Sequence, residues 1–279
     1  MNRLEFSALE EPRTTAVGST VVDLYEADRP DAPAVIALHG GAWVLGSRSD
    51  YAERYRALRE RGVTVAALDY RLATEAPYPA QRDDVDAVVR LLRERSHAGP
   101  GPAGPIAAGP IWLLGASAGA HLAALTAFSS NGIAGFIGLF GRYDLTSEAD
   151  GLRPVEGLEV PADITGGPPP PLGARTHAER LALLAGVRPD DLHDLVLARI
   201  SPVQQLHPLA PPLLLLHGTG DAVVDHRHSE RLHERALALG VESELHLLPG
   251  ANHEDPVFAS EHTIGTIAAF IHRTRATIR

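Results

Sequence analysis

Short apolar runs alternate along this chain with longer stretches in which apolar residues recur every three or four positions. The runs at residues 19–25, 34–38, 63–68, 111–114, 133–140, 212–216 and 242–248 have the length and the aliphatic content of strands. Between them, residues 50–61, 81–95, 118–130, 229–239 and 260–273 read as helices. Tyr51, Tyr55 and Leu58 share one helical face, as do Val85, Val88, Val89 and Leu92, and Gly62 stops the first of these helices. Such alternation predicts an α/β class domain: a mostly parallel central sheet with helices on both faces. Unbroken apolar runs such as 213–216 suit central strands covered on both sides.

The rhythm breaks between residues 143 and 211. That stretch shows no strand pattern, carries four consecutive prolines at 168–171, and reads as helical only near 176–184 and 192–199. A long insert inside an α/β domain usually serves function. The expected organisation is one core domain formed by residues 1–142 and 212–279. Residues 143–211 are inserted as a cap over the strand ends. Residues 99–110 read as a Gly/Pro loop.

Composition narrows the chemistry. There is no cysteine among the 279 residues, which removes disulfides, thiolate nucleophiles and Cys-ligated metals together. All 25 basic residues are arginine, so Schiff-base chemistry and a P-loop lysine are excluded too. The net charge of −10 disfavours nucleic acid as a partner. Residues 1–12 contain Glu5, Glu10 and Glu11 without an apolar core, unlike a secretory signal. No run approaches the ~18 apolar residues of a membrane span, so no membrane partner is expected and the expected location is cytoplasmic.

A serine stands where an exposed nucleophile would be built. Gly115-Ala116-Ser117-Ala118-Gly119 lies between the strand at 111–114 and the helix that follows. This is G-x-S-x-G in a strand–turn–helix setting, where a sharp turn lifts the hydroxyl clear of the sheet and glycines avoid the clash on either side. The hydroxyl needs a base, and the base an orienting acid. Asp221 follows the strand at 212–216 through His217-Gly218. His253 follows the strand at 242–248 in the loop before the last helix. The chain order Ser117, Asp221, His253 is that of α/β-hydrolases. Asp225, four residues on, is expected to cap the next helix rather than supply the acid. His39-Gly40-Gly41-Ala42-Trp43 leaves the strand at 34–38, and its paired glycines let backbone N–H groups face a substrate. The oxyanion donors are assigned to the N–H groups of Gly41, Ala42 and Ala118. Trp43 is assigned to substrate contact and His121 to packing. Asp225, His226 and His228 lack a third ligand and read as a solvated helix start, so neither metal nor cofactor is expected.

In these motifs the chain resembles the α/β-hydrolase-3 and hormone-sensitive-lipase-like carboxylesterases, nearest their short kynurenine-formamidase-like and feruloyl-esterase-like branch. The matching residues are His39 to Trp43, Asp69-Tyr70-Arg71-Leu72, Tyr78-Pro79-Ala80-Gln81, Gly115 to Leu122, Asp221 and His253. Ala116 and Ala120 stand where the usual hormone-sensitive-lipase elbow has an acid and a glycine, which favours the formamidase-like branch. The resemblance implies the α/β-hydrolase fold and a brace for the oxyanion loop in Asp69 to Leu72, with Asp83 and Asp84 as further scaffold. It implies a serine esterase acting on a small-molecule ester, and short acyl groups are expected to fit beneath the cap. The same machinery serves an arylformamidase or, in biosynthesis, an acyltransferase, cyclase or lyase; a non-catalytic small-molecule receptor is the reading from another class. A homodimer is compatible with all of these.

Overall fold

The computed structural model describes residues 12–29, 31–97, 109–146 and 176–275. Within them an eight-stranded sheet runs in the order β1-β2-β4-β3-β5-β6-β7-β8. The strands are β1 (Arg13–Val17), β2 (Thr20–Tyr25), β3 (Ala34–Leu38), β4 (Thr64–Asp69), β5 (Ile111–Ala116), β6 (Ile133–Leu139), β7 (Leu213–Gly218) and β8 (Ser243–Leu248). β1 and β2 form an antiparallel hairpin, and β2 joins β4 antiparallel. From β4 to β8 every pairing is parallel. The expected α/β class is what the structure shows, with the strand at 34–38 bounded as read.

Strand alternation sorts the core into two layers. Ala34, Ile36 and Leu38 of β3 face one layer, with Val85, Val88 and Leu92 of α2 (Ala80–His97), Leu122 and Leu125 of α3 (Ala118–Ser129), and Leu232 and Ala236 of the helix Arg227–Ala238. Val35 and Ala37 face the other, with Tyr55 and Leu58 of α1 (Ala52–Glu60) and Ile264, Ile267, Phe270 and Ile271 of the final helix, Glu261–Arg275. The central strands β3, β5, β6 and β7 are buried along their whole length, as continuous apolar runs require. Helix α3 is buried from Ala118 to Phe128 because it is small and apolar all round.

β1 has no counterpart among the expected strands. Its residues alternate between half-buried and exposed, so its sequence contains no apolar run to announce it. Of the insert at 143–211, residues 147–175 lie outside the described residues, including the proline run; the Gly/Pro loop at 99–110 does so too except at its end. The rest forms α4 (His177–Ala185), α5 (Asp194–Arg199) and the one-turn α6 (Pro202–Gln205); Arg227–Ala238 is therefore α7 and Glu261–Arg275 is α8. Thr176 and Glu179 form a capping box at the start of α4, and Gly186 ends it in a left-handed conformation. Leu181, Leu184, Leu197 and Ile200 join the α2–α3 core layer. Backbone bonds from Tyr78 N–H to the Leu184 carbonyl (2.8 Å) and from Val203 N–H to the Tyr143 carbonyl (3.0 Å) hold the segment to the sheet edge.

Candidate active site

The C-terminal ends of β3, β5, β6 and β7 lie side by side, about 4.8 Å from strand to strand. Each loop leaving that edge brings one part of the site. At the end of β5, Ser117 takes φ 52° and ψ −117°, outside the regions an L-residue prefers. Two glycines permit this. A Cβ on Gly115 would run into the backbone of Gly119 and Ala120, and one on Gly119 into the Leu38 and His39 carbonyls. The turn is fixed by Ser117 N–H donating to the Leu139 carbonyl at 2.9 Å.

The loop after β8 brings the His253 ring to Ser117, with Nε2 3.0 Å from Oγ. Nδ1 lies 2.7 Å from Asp221 Oδ2, which accepts its proton. The Asp221 side chain is fully buried, and its other oxygen accepts the N–H groups of Val223 (2.9 Å) and Val224 (2.8 Å). Burial pushes this carboxyl up, but hydrogen bonds from His217 and His253 outweigh it and hold the group well below the usual carboxylate range. Asp225 lies apart: it accepts the Arg227 backbone N–H at 2.9 Å and pairs with that arginine's side chain. Arg227 is the first residue of the helix, so Asp225 does take up one of its free N–H groups, as the expected capping role requires, while the intervening His226 contributes no side-chain bond.

On the opposite side of Ser117, Gly41, Ala42 and Trp43 take positive φ values of 110°, 49° and 68°. The turn is closed by Val44 and Leu45 N–H groups, both 3.1 Å from the Gly41 carbonyl. Among the described residues the N–H groups of Gly41, Ala42 and Ala118 have no protein acceptor. Tyr70 braces the loop, its ring stacked on His39 at 4.2 Å and its hydroxyl donating to the His39 carbonyl at 2.9 Å. Arg71 pairs with buried Asp84, and Asp69 accepts the Arg48 N–H, tying the same stretch to α2 and to the loop after β3.

Trp43, expected to touch substrate, is only 3% exposed. Its indole N–H donates to His121 Nδ1 at 3.1 Å, and His121 Nε2 in turn donates to the Ile200 carbonyl at 2.6 Å. The pair supports the loop from beneath and links it to the insert. Burial lowers the His121 pKa to about 4, so the ring is neutral, as this bonding pattern requires.

Several residues that the sequence reading passed over orient these groups. Phe140 (φ 40°) places its ring edge-on to His253 at 4.8 Å. His217, fully buried, sits with Nε2 3.2 Å from Asp221 Oδ2 and 2.9 Å from the Val224 carbonyl, and Nδ1 2.7 Å from Ser229 Oγ. Asn252 Oδ1 accepts both Ala222 N–H (3.0 Å) and His253 N–H (2.7 Å). Tyr51 donates to Glu254 at 2.7 Å, fastening the histidine loop to the start of α1. No short motif marks them; the one signal available was position, since Phe140 and His217 stand at the ends of unbroken apolar strands.

This fold and this grouping of side chains are those of the α/β-hydrolases. The BD-FAE family model matches residues 22–236, and the chain belongs to that family. It is 28% identical over 270 residues to Esterase LipC of Mycobacterium tuberculosis (strain ATCC 25618 / H37Rv), a match covering 88% of this chain and 60% of LipC. Among solved structures, it is similar to a truncated carbohydrate esterase from gut microbiota (TM-score 0.74, 19% identity, 97% of this chain and 99% of that one). It is also similar to a hormone-sensitive lipase from a metagenome library (TM-score 0.68, 25% identity, 96% and 86%). The chain spans between 45% and 60% of the length of the curated relatives it matches over most of its own length. No helix of the described residues is long and apolar enough to cross a membrane.

Proposed function

We propose that this protein is a serine hydrolase that cleaves carboxylic esters with short acyl groups through an acyl-enzyme. The observation that carries the reading is the continuous hydrogen-bond chain from Ser117 Oγ to His253 Nε2 (3.0 Å) and from His253 Nδ1 to Asp221 Oδ2 (2.7 Å). In it, His253 takes the hydroxyl proton as Ser117 attacks the ester carbonyl, then delivers it to the leaving alcohol. Asp221, held ionised, keeps the proton of the neutral ring on Nδ1 and stabilises the imidazolium as it forms. Water then repeats the sequence on the acyl-serine and releases the acid. The N–H groups of Gly41, Ala42 and Ala118 are the donors for the oxyanion, and their fixed backbone spends no reorganisation energy during the reaction.

The names of esterase LipC and of the two similar structures favour ester over amide substrates. In this reading the described part of the insert, residues 143–146 and 176–211, acts as a roof. It brings the His177 ring to 6.1 Å from that of Trp43 in the oxyanion loop, and its Ile200 carbonyl accepts from His121 of α3; a wall this close to the loop favours acetyl to butyryl groups. The test is a chain-length series of 4-nitrophenyl esters run beside an arylformamide, with fluorophosphonate labelling of the wild type and Ser117→Ala. The wild type is expected to label at Ser117 and to cleave short esters fastest. Ser117→Ala should lose the label and about 10³-fold or more of the rate while folding normally. Full activity in that variant defeats the mechanism. A maximum at decanoyl or longer defeats the short-acyl assignment, and cleavage of the formamide alone defeats the ester assignment.

A further inference from the structure

Arg142 follows β6 by three residues, and β6 lies between β5 and β7. Its segment therefore leaves the sheet between Ser117 and Asp221. The residue is only 7% exposed. A buried guanidinium is normally met by a carboxylate, because an uncompensated buried charge is costly. Here, among the described residues, no carboxylate lies within ion-pair distance of it. What it has is His177 of α4: Nη1 donates to Nε2 at 3.3 Å. Burial together with the charges of Arg142 and Arg180 lowers the His177 pKa to about 3, so this partner is neutral and offsets no charge. Arg142 itself, though brought down by burial and by Arg180 to about 10, stays protonated at neutral pH.

A second buried donor lies in the same place. His228 of α7 is fully buried, and its Nδ1 faces the Asp144 N–H at 3.4 Å, which puts the ring proton on Nε2. Among the described residues that Nε2 has no hydrogen-bond partner. Arg142 is close enough to His228 to be, after burial itself, the main influence holding this imidazole neutral. The cluster is linked to the site through two neighbouring rings. Phe140, two residues before Arg142, touches the His253 ring, and the His177 ring lies 6.1 Å from that of Trp43 in the oxyanion loop. Among the described residues, Asp221 is the carboxylate whose charge acts on Arg142, and its oxygens are already taken by His253, His217, Val223 and Val224.

We propose that Arg142, with His228 and Arg180 beside it, recognises a carboxylate carried by the ester substrate. The inference rests on the ester-hydrolase reading above and specifies its substrate class: monoesters bearing one further acidic group. A planar carboxylate matches the fork of a guanidinium and needs only one compensating charge, whereas a dianionic phosphate would bury a second. The anion would take the donors of Arg142 that His177 leaves, and the His228 Nε2 proton.

The experiment uses two pairs of stable esters, each an acid against its isosteric carboxamide. 4-Acetoxybenzoate against 4-acetoxybenzamide places the charge on the leaving group; monomethyl adipate against methyl adipamate places it on the acyl group. The readout is the ratio of kcat/KM, acid over amide, within one protein. In the wild type at least one pair is expected to give a ratio of tenfold or more. Arg142→Gln should bring that ratio to one or below whatever its absolute rate, and Arg180→Gln, at a half-buried position, should lower it severalfold. The second variant keeps the test open if loss of the buried arginine prevents folding. Ratios of one or less for both pairs in the wild type overturn the proposal, as does a high ratio that survives both substitutions. Failure to cleave any of the four esters, or 4-nitrophenyl acetate, would instead strike at the ester-hydrolase reading.

Discussion

At the scale of single residues, two aspartates four positions apart have opposite surroundings. Asp221 has no exposed side-chain surface and spends one oxygen on His253 and the other on two backbone N–H groups. Asp225 is 29% exposed and bonds only to its own turn and to Arg227. Asp221→Asn should leave the fold intact but lower kcat for 4-nitrophenyl acetate by about 10⁴-fold, because an amide at that place favours the wrong tautomer of His253. Asp225→Asn should remain within about twofold of the wild type, since it loses only a local surface pair. An inactive Asp225→Asn beside an active Asp221→Asn would reassign the acid. Sequence separated the two because only Asp221 follows a buried strand directly. It could not show Phe140, His217 or Asn252 in their roles, because these act by orienting a neighbour, and orientation leaves no spacing pattern. Its place in the loop after β3 assigns Trp43 to substrate contact; the bond of its N–H to His121 is visible only in the packed structure.

Among the elements, strands buried on both faces were legible to within a residue or two as unbroken aliphatic runs. β1, an edge strand with no buried face, was not. The joints between elements were also hidden. One is Asp84 of α2, which is 2% exposed. It accepts the Ser19 hydroxyl (2.8 Å), the Arg71 N–H (2.9 Å) and the Arg71 guanidinium. It thereby joins the β1–β2 turn, the end of β4 and α2. The same stretch after β4 carries Ala73, whose N–H donates to the Trp43 carbonyl at 2.8 Å. Asp84→Ala should therefore cost about 1–3 kcal/mol, the usual penalty for stranding buried partners, and should lower kcat by loosening the loop that holds Ala42. Urea denaturation and ester kinetics check both effects, and a variant as stable as the wild type would show that the joint contributes nothing.

For the whole molecule, buried neutral histidines make acid the vulnerable side. His121 has its pKa lowered by burial from 6.5 to about 4, and that of His177 falls to about 3. Below pH 6.5 the unfolded chain takes up protons that the folded chain refuses, so stability falls as pH falls, the His121 part of the loss levelling off below about 4 and the His177 part below about 3. His121 alone accounts for roughly 3 kcal/mol. Below pH 4 the lowered carboxyl of Asp221 adds a further loss of the same sign. Easing of the net charge of −10 works the other way, but between exposed groups it is screened by salt. The urea midpoint should therefore be clearly lower at pH 5 than at pH 7.5; an equal or higher midpoint would contradict it. A different consequence follows from how His253 is held. Ser117 is set between a central strand and a helix buried from Ala118 to Phe128, whereas the loop carrying His253 is held by a few bonds: Asn252 to Ala222, Gly250 N–H to Thr219 Oγ1, Gly220 N–H to the Ala251 carbonyl, and Tyr51 to Glu254. Such a loop is a candidate for subglobal opening, in which one small unit lets go while the rest stays folded. Activity should then fade at urea concentrations that leave the circular dichroism of the sheet and helices unchanged. Amide hydrogen exchange around residues 249–255 should outpace that of β5 and α3 by orders of magnitude, so the working lifetime of this protein is set by its weakest loop rather than by its core.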